Sequence, residues 1–312
     1  MRVGKTAFVF PGQGAQEVGM GRDAYEAFEA SRRVIDRADG LLGFRLSEIM
    51  FDGPEDELRL TANTQPALLA VSVALLEALR ERGVAGPDFV AGHSLGEYSA
   101  LVAAGALAFE DAVRLVRRRG ELMEEAVPAG RGTMAAVLGA EREALAALCR
   151  DVSDSVGLVE LANVNCPGQI VVSGTAEGVA EVVKRGGEAG ARRVVPLEVS
   201  GPFHSSLMRP AADKLAGELA AVRFRDPAVP VVANVHARPE TRGDRWPELL
   251  AEQVVSPVLW EDSVRHLIAE GVDTFVEIGP GTVLAGLIRK IDRSVRVVSV
   301  NGAEAVKSFD IA

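Results

Sequence analysis

The spacing of apolar residues separates the chain into helical and strand-like segments. Apolar side chains recur three and four positions apart over residues 65–79 and 110–126, which predicts two helices. Short continuous apolar runs at residues 6–10 and 88–91 predict buried strands. Because strands and helices alternate along this first part of the chain, the pattern predicts an α/β fold.

The pattern changes after a cluster of Pro and Gly at residues 128–132, which predicts a boundary. The predicted segments that follow are a strand at 134–138, a helix at 143–151, strands at 158–164 and 169–173, a helix at 177–189 and a strand at 193–199. This β-α-β-β-α-β order is the ferredoxin-like arrangement. Strands predicted near residues 229–234 and 274–278 then return the chain to the α/β pattern.

The sequence therefore predicts one subdomain inserted into another. A large, hydrolase-like α/β subdomain comprises residues 1–127 and 201–312, and a small ferredoxin-like subdomain comprises residues 128–200. Ligand sites favour clefts between such units, so we expect functional residues near the junction.

The composition restricts the class of protein. Of the 312 residues, 48% are hydrophobic and 25% are charged, which is typical of a globular chain that buries a sizeable core. The net charge of -10 disfavours a nucleic-acid partner. The longest nearly apolar stretch, residues 67–76, is shorter than the roughly 18 residues that a membrane span requires, so we expect a buried helix and no membrane association.

Two features favour a cytoplasmic location. The apolar run at residues 7–10 is too short for the core of a signal peptide. Cys149 and Cys166 lack the spacing of a metal site and are too few for a disulfide framework, which fits a reducing compartment. Because ligand-type side chains do not cluster in the sequence, we expect neither a metal nor a redox cofactor.

The most informative segment is Gly-His-Ser-Leu-Gly-Glu at residues 92–97. It lies between the predicted strand at 88–91 and an Ala/Leu-rich helix predicted at 98–107, which is the context of a nucleophile elbow. Glycine lets neighbouring backbones approach at so sharp a turn, and the turn leaves Ser94 Oγ exposed above the free amides of the helix N-terminus. The segment predicts a serine nucleophile that forms an acyl-enzyme.

A serine hydroxyl needs a base, and histidine is the side chain suited to that task near neutral pH. The chain contains four histidines. His93 adjoins the nucleophile and is expected to point away from it, whereas His236 and His266 lie where a surface or core role is expected. His204 is the candidate base, because its Gly-Pro-Phe-His-Ser segment lies at the predicted junction of the subdomains.

Six short segments occur in a fixed order along nearly the whole chain. They are FPGQG at residues 10–14, TQPA at 64–67, GHSLGE at 92–97, RG at 119–120, GPFH at 201–204 and QVVSP at 253–257. In this order they resemble the malonyl-CoA:acyl carrier protein transacylases, a family whose fold includes an inserted ferredoxin-like subdomain.

The resemblance implies roles in catalysis for five residues. Ser94 would be the nucleophile and His204 the general base. The backbone carbonyl of Gln253 would hold the other imidazole nitrogen, so that no acidic third member is needed. The backbone amides of Gln13 and Leu95 would form the oxyanion hole.

The resemblance also implies contacts with the substrate. Arg119 would pair with the free carboxylate of malonate in a bidentate fork, although its helix alone would suggest a solvated basic face. Phe203 would crowd an α-methyl branch and so disfavour methylmalonyl groups. Gln65 and Asn165 would line the pocket or cap local backbone.

The resemblance thus implies a ping-pong transfer of malonyl from malonyl-CoA to the phosphopantetheine thiol of acyl carrier protein, for fatty acid biosynthesis. The carrier protein in this family's reaction is acidic, so we hypothesise a basic docking surface formed by Lys184, Arg185, Arg192 and Arg193. Three alternatives stay open: a discrete acyltransferase of a polyketide pathway, a thioester hydrolase that clears misloaded carriers, and a non-catalytic carrier-binding module.

Overall fold

The computed structural model describes residues 4–310. The strands of this part of the chain are β1 (Lys5–Phe10), β2 (Phe89–Gly92), β3 (Gly132–Leu138), β4 (Val159–Cys166), β5 (Gln169–Thr175), β6 (Arg193–Pro196), β7 (Val231–Ala233), β8 (Arg238–Glu240), β9 (Val272–Ile278) and β10 (Arg296–Val300). Its helices are α1 (Arg22–Ala27), α2 (Glu29–Leu42), α3 (Leu46–Asp52), α4 (Glu55–Arg59), α5 (Thr61–Glu81), α6 (Gly96–Ala103), α7 (Phe109–Glu125), α8 (Arg142–Ser155), α9 (Ala176–Arg185), α10 (Arg209–Ala220), α11 (Trp246–Gln253), α12 (Trp260–Ala269), α13 (Val283–Ile291) and α14 (Ala303–Ser308).

A six-stranded mixed sheet, in the order β10-β9-β1-β2-β7-β8, forms the centre of the α/β fold. Its paired strands are parallel except for β7 and β8, which are antiparallel. The apolar residues of β1 and β2 are buried on both faces of the sheet: Phe8 and Phe10 belong to one hydrophobic core, and Ala7 and Val9 belong to another. In their register Phe10 lies beside Gly92, so the turns that follow the two strands meet at one edge of the sheet.

A second sheet, in the order β4-β5-β3-β6, is antiparallel throughout. Its apolar side chains form a separate core with helices α8 and α9, which includes Val137, Leu145 and Val182. The Val258 backbone, which precedes α12, pairs with strand β4: Val258 N–H donates to the Ala162 carbonyl at 2.8 Å, and Val164 N–H donates to the Val258 carbonyl at 2.9 Å. These two bonds tie the small sheet to the rest of the chain.

Three predicted elements end three or four residues earlier in the structure than the sequence predicts. The helix predicted over 177–189 ends at Arg185, and a 3₁₀ turn at Gly186–Ala189 follows, because consecutive glycines disfavour further α-helix. The strand predicted over 193–199 ends at Pro196. The helix predicted over 98–107 begins at Gly96 and ends at Ala103, shortly before a glycine with positive φ.

Helix α5 is the most deeply buried helix of the fold's centre and packs against α2 and α7. Its length and apolar composition would suffice to span a membrane, but 94% of its apolar window is buried inside the protein. The sequence predicts a buried helix at residues 67–76, and α5 confirms it as a helix of the protein core.

Helices α5 and α7 approach each other closely at Gly120. A Cβ atom at this position would lie 2.7 Å from Ala62 Cα and 2.7 Å from the Thr61 carbonyl oxygen, both of which belong to the backbone of α5. Only the absence of a side chain permits this contact, and Gly120 directly follows Arg119 on the same helix.

Gly120→Ala should lower the free energy of unfolding by about 1–3 kcal/mol, because overpacking outweighs the usual helix preference for alanine. Gly217→Ala on α10 is the matched control, since a Cβ there meets no atom within 4 Å. The control should instead be neutral or stabilising, by up to about 1 kcal/mol. Urea denaturation of both variants measures the difference, and equal stabilisation by the two changes would contradict the close approach.

Candidate active site

Ser94 occupies a sharp turn between β2 and α6 and has a positive φ of 51°. A Cβ on Gly92 would lie 1.9 Å from the Gly96 backbone, and a Cβ on Gly96 would lie 2.1 Å from the Phe10 carbonyl oxygen. Glycine is therefore required on both sides of the serine. The predicted elbow is present, and it presents Ser94 at the N-terminus of α6.

His204 lies directly beside Ser94 although 110 residues separate them. Ser94 Oγ is 2.8 Å from His204 Nε2, and His204 Nδ1 is 2.9 Å from the backbone carbonyl of Gln253. Because a carbonyl only accepts, Nδ1 carries the proton and Nε2 is free to accept one from Ser94. Burial and the charge of Arg119 lower the pKa of His204 to about 3, so the imidazole is neutral near pH 7.

Arg119 extends from α7 into the site and is only 1% exposed. Its Nη1 donates to Gln65 Oε1 at 2.8 Å, and its Nη2 donates to Ser94 Oγ at 3.1 Å and to Gln253 Oε1 at 2.8 Å. All three acceptors are uncharged. The guanidinium also lies 5.6 Å from the centre of the Tyr98 ring. Arg119 is thus a buried cation aimed at the nucleophile, which is an arrangement suited to binding an anionic group.

A buried polar network supports these groups from behind. Gln253 Nε2 donates to Glu97 Oε2 at 2.6 Å and to the Ser94 carbonyl at 2.9 Å. Asn234 accepts the Ser94 N–H at 2.8 Å and donates through Nδ2 to the Gly92 carbonyl at 2.7 Å. Its own backbone N–H donates to Glu97 Oε1 at 2.7 Å. Burial raises the pKa of Glu97 to about 8, against the effect of these donors and of Arg119.

Asn234 and Glu97 were not among the predicted site residues. Asn234 directly follows β7, whose carboxyl end lies beside that of β2, and polar residues at that edge of a parallel sheet are a recognisable signal. Glu97 was visible only as the last residue of the elbow segment. Both residues hold the elbow rather than face the cavity.

A cavity of about 110 Å³ opens in front of Ser94. It is lined by Gln13, His93, Ser94, Leu95, Arg119, Met123, Met134, Asn163, Leu197, Val199, Phe203 and His204. The backbone N–H groups of Gln13 and Leu95 have no protein acceptor within residues 4–310. A Cβ on Gly12 would lie 2.3 Å from the His93 carbonyl oxygen, so glycine brings the turn after β1 against the elbow.

The remaining predicted site residues occupy different positions. Phe203 lines the cavity beside His204, as the cavity composition shows. Gln65 is fully buried, contacts Arg119 through Oε1 and Met123 Sδ through Nε2, and does not line the cavity. Asn165 lies outside the lining and its Oδ1 is 2.8 Å from His93 Nε2. Asn163, two residues earlier, lines the cavity instead.

The hypothesised basic surface is partly neutralised in the structure. Lys184 pairs with Glu181 at 3.2 Å, and Arg185 pairs with Asp151 and Glu188, each at 2.8 Å. The other two members of the surface, at positions 192 and 193, are exposed.

Both cysteines are buried free thiols, and within residues 4–310 no group of three or more His, Cys, Asp or Glu side chains could hold a metal ion. His236 and His266 lie outside the cavity lining, where Arg238 contacts both.

Comparisons with known proteins agree over nearly the full length. Residues 7–308 match the family described as the acyl transferase domain. A relative from Bacillus subtilis strain 168, named malonyl CoA-acyl carrier protein transacylase, is 54% identical over 303 residues, covering 97% of this chain and 95% of its own. A relative of the same name from Staphylococcus aureus strain MRSA252 is 48% identical over 306 residues, covering 98% of each chain.

Solved structures of similar proteins have the same fold. The acyl carrier protein S-malonyltransferase of Vibrio cholerae superposes with a TM-score of 0.95 at 43% identity, covering 97% of this chain and 99% of its own. A malonyl-transacylase solved in complex with a type II PKS acyl-carrier protein superposes with a TM-score of 0.95 at 42% identity, covering 97% and 98%.

The lowered pKa of His204 predicts an unusual pH profile. Because the neutral imidazole persists down to acidic pH, the rate at which an uncharged sulfonyl fluoride modifies Ser94 should stay constant between about pH 5 and 8. An ordinary histidine would be half protonated near pH ~6.5, and the rate would fall to half there. Intact-protein mass spectrometry of quenched time points measures the rate, and a midpoint near neutrality would show that Arg119 and burial do not act on His204 as described.

Proposed function

Because this chain belongs to the acyl transferase domain family, we propose that it transfers a malonyl group from malonyl-CoA to the phosphopantetheine thiol of acyl carrier protein, in fatty acid biosynthesis. One observation carries the proposal. Within a single buried cavity, the guanidinium of Arg119 lies 3.1 Å from Ser94 Oγ, whose other partner is the imidazole of His204. A nucleophile, its base and a cation suited to a carboxylate therefore line one cavity of about 110 Å³, which is the size of a small acyl group.

In the first step Ser94 Oγ attacks the thioester carbonyl while its proton passes to His204 Nε2. The bond between the carbonyl carbon and the coenzyme A sulfur breaks, and the imidazolium returns the proton to the departing thiolate. The Gln253 carbonyl keeps the second nitrogen protonated throughout, so the dyad works without an acidic third member. The product of this step is malonyl-Ser94 and free coenzyme A.

The oxyanion of the tetrahedral intermediate needs donors that are already in place. The backbone N–H groups of Gln13 and Leu95 suit this role, because both residues line the cavity and neither group is engaged by another protein atom within residues 4–310. Leu95 also immediately precedes helix α6, whose N-terminus favours negative charge.

In the second step the phosphopantetheine thiol of the carrier protein gives its proton to His204 and attacks the acyl-enzyme. Collapse of the intermediate releases Ser94, which recovers the proton. Because coenzyme A leaves before the carrier thiol enters, the kinetics are ping-pong. Each step exchanges a thioester for an ester, or the reverse, with no change of oxidation state. The proposed reaction therefore needs neither a metal nor a redox cofactor.

Arg119 selects the acyl group through its charge. A malonyl carboxylate pairs with the planar guanidinium, whereas an acetyl group leaves the cation without an anion. Gln65 orients Arg119 from behind the cavity, and Phe203 limits the space beside the α-carbon. Asn165 supports the pocket from outside its lining, because its Oδ1 contacts the ring of His93, which lines the cavity.

The proposed organisation is a large α/β subdomain of residues 1–127 and 201–312 with a ferredoxin-like insert of residues 128–200. The insert's strand order β4-β5-β3-β6, with helices α8 and α9 in the β-α-β-β-α-β sequence, supports the ferredoxin-like assignment. The cavity lining supports a site between the two units, since Met134 and Asn163 belong to the insert and Ser94 to the large subdomain.

The acidic carrier protein would meet this acidic enzyme at a local basic surface, for which the exposed Arg192 and Arg193 are available. The proposed location is the cytoplasm. A carrier protein of a polyketide pathway is the second candidate acceptor, because a neighbour of the same fold was solved with a type II PKS acyl-carrier protein.

Mixing the protein with malonyl-CoA should add one malonyl group that survives denaturation, and Ser94→Ala should abolish the adduct. Arg119→Ala should reduce the malonyl-over-acetyl preference at least about 100-fold, since loss of one partner of a buried pair costs roughly 3–5 kcal/mol. Arg117→Ala, on the same helix but outside the cavity lining, is the control and should keep the preference. Intact-protein mass spectrometry measures the adducts that the wild type and the three variants form with malonyl-CoA and with acetyl-CoA. Release of free malonate as fast as transfer to the carrier would favour a hydrolase instead.

Phe203→Ala should raise the use of methylmalonyl-CoA relative to malonyl-CoA by about tenfold, because one methyl group is worth roughly 1–3 kcal/mol in a tight pocket. The ratio of the two kcat/KM values is the measurement, and the malonyl value itself serves as the internal control. An unchanged ratio would remove Phe203 from the specificity pocket.

A further inference from the structure

Arg119 hydrogen-bonds to the nucleophile itself. Arg119 Nη2 donates to Ser94 Oγ at 3.1 Å, while Ser94 Oγ is 2.8 Å from the nitrogen of His204 that receives its proton. A serine hydroxyl has one proton and two lone pairs. The proton is therefore directed to the base, and a cation occupies one of the lone pairs that attack requires.

The charge on Arg119 is not cancelled by direct contact with a carboxylate. Its three hydrogen-bond acceptors are the neutral groups of Gln65, Ser94 and Gln253. The nearest acid of the network, Glu97, contacts the Gln253 amide, which stands between it and the guanidinium. Arg119 Nε has no partner at all among the described residues. The cation is therefore available to a carboxylate, and in this geometry it acts on the dyad.

Two effects make the dyad less reactive in this state. A lone pair that accepts a hydrogen bond from a guanidinium is a weaker nucleophile, since charge-assisted bonds are among the stronger ones. The same cation opposes the imidazolium that forms when His204 takes the proton, and Arg119 is, after burial, the main cause of the lowered pKa of His204. An anion paired with Arg119 would relieve both effects at once.

We propose that the carboxylate of the substrate switches on the nucleophile: by pairing with Arg119 it draws the guanidinium away from Ser94 Oγ and frees the hydroxyl for attack. This inference rests on the function proposed above. It makes Arg119 act on the rate of acylation as well as on binding, so the preference for malonyl is expressed in kcat and not only in KM. An acetyl thioester that reaches the cavity meets a dyad that is still restrained.

The test separates the carboxylate from the reacting group. Methanesulfonyl fluoride is small and uncharged; Ser94 Oγ bonds to its sulfur, fluoride leaves, and the proton passes to His204 and then to water. Sodium formate supplies a carboxylate in trans, and sodium chloride at equal concentration is the control for ionic strength. Formate should accelerate sulfonylation of the wild-type protein about tenfold, with saturation, because a stronger base and a freed lone pair both lower the barrier.

Two variants identify the cation responsible. Arg119→Gln should react about tenfold faster than wild type without formate and should not respond to it, because no guanidinium restrains Ser94. Arg117→Gln is the matched control on the same helix: its side chain pairs with Glu121 outside the cavity, and it should respond to formate like wild type.

Absence of a formate effect on the wild-type protein overturns the inference, whatever the variants do, so the test does not depend on how well Arg119→Gln folds. A folded Arg119→Gln that reacts more slowly than wild type overturns it as well. The malonyl-CoA reaction separates this failure from failure of the function. If wild type forms malonyl-Ser94 but formate does not accelerate sulfonylation, only the switch is wrong; if no malonyl adduct forms, the proposed function is wrong.

Discussion

The active site depends on how closely two backbone segments approach at the carboxyl edge of the central sheet. Side chains at Gly12, Gly92 or Gly96 would place a Cβ within 2.3 Å of neighbouring backbone atoms. Because these positions are glycine, the turn after β1 packs against the elbow after β2, and the free amides of both segments face the same cavity. The positive φ of Ser94 then directs its hydroxyl towards a histidine from a distant part of the chain.

The buried guanidinium of Arg119 is the second feature on which the active site depends. Gln253 contacts both this cation and the catalytic histidine, the first through its side chain and the second through its backbone. The Gln253 carbonyl fixes the imidazole, and the side-chain amide donates to Glu97 while it accepts from Arg119. An amide placed between the acid and the guanidinium avoids a direct ion pair, which leaves the cation open to a substrate. The same residue therefore couples the base to the group that recognises the acyl chain, and its hydrogen bonds hold both in one geometry.

The parts of this account with strong local signals were predictable from the sequence: the buried strands β1 and β2, the helices α5 and α7, and the elbow at Ser94. No local pattern relates Ser94 to His204, because the two residues lie far apart in sequence. His204 was chosen as the base by comparison of the four histidines and by its place at the predicted junction, and the resemblance to the family then paired it with Ser94. Asn234 was missed because its role depends on β7 lying beside β2, and strand order is a property of the whole sheet. The sequence also named Asn165 where the structure has Asn163 in the cavity lining. Strand β4 has register shifts on both sides of Asn163, and such irregularities change which side chains face a cavity. An alternating sequence pattern does not reveal them.

The central claim is that a malonyl ester on Ser94 is held by Arg119, and a crystal structure of the protein soaked with malonyl-CoA and frozen before transfer tests it most directly. The account predicts continuous density from Ser94 Oγ to a malonyl group whose two carboxylate oxygens contact Arg119. The carbonyl oxygen of the ester should lie between the backbone amides of Gln13 and Leu95. A malonyl group attached elsewhere, or attached to Ser94 with its carboxylate directed away from Arg119, would contradict it.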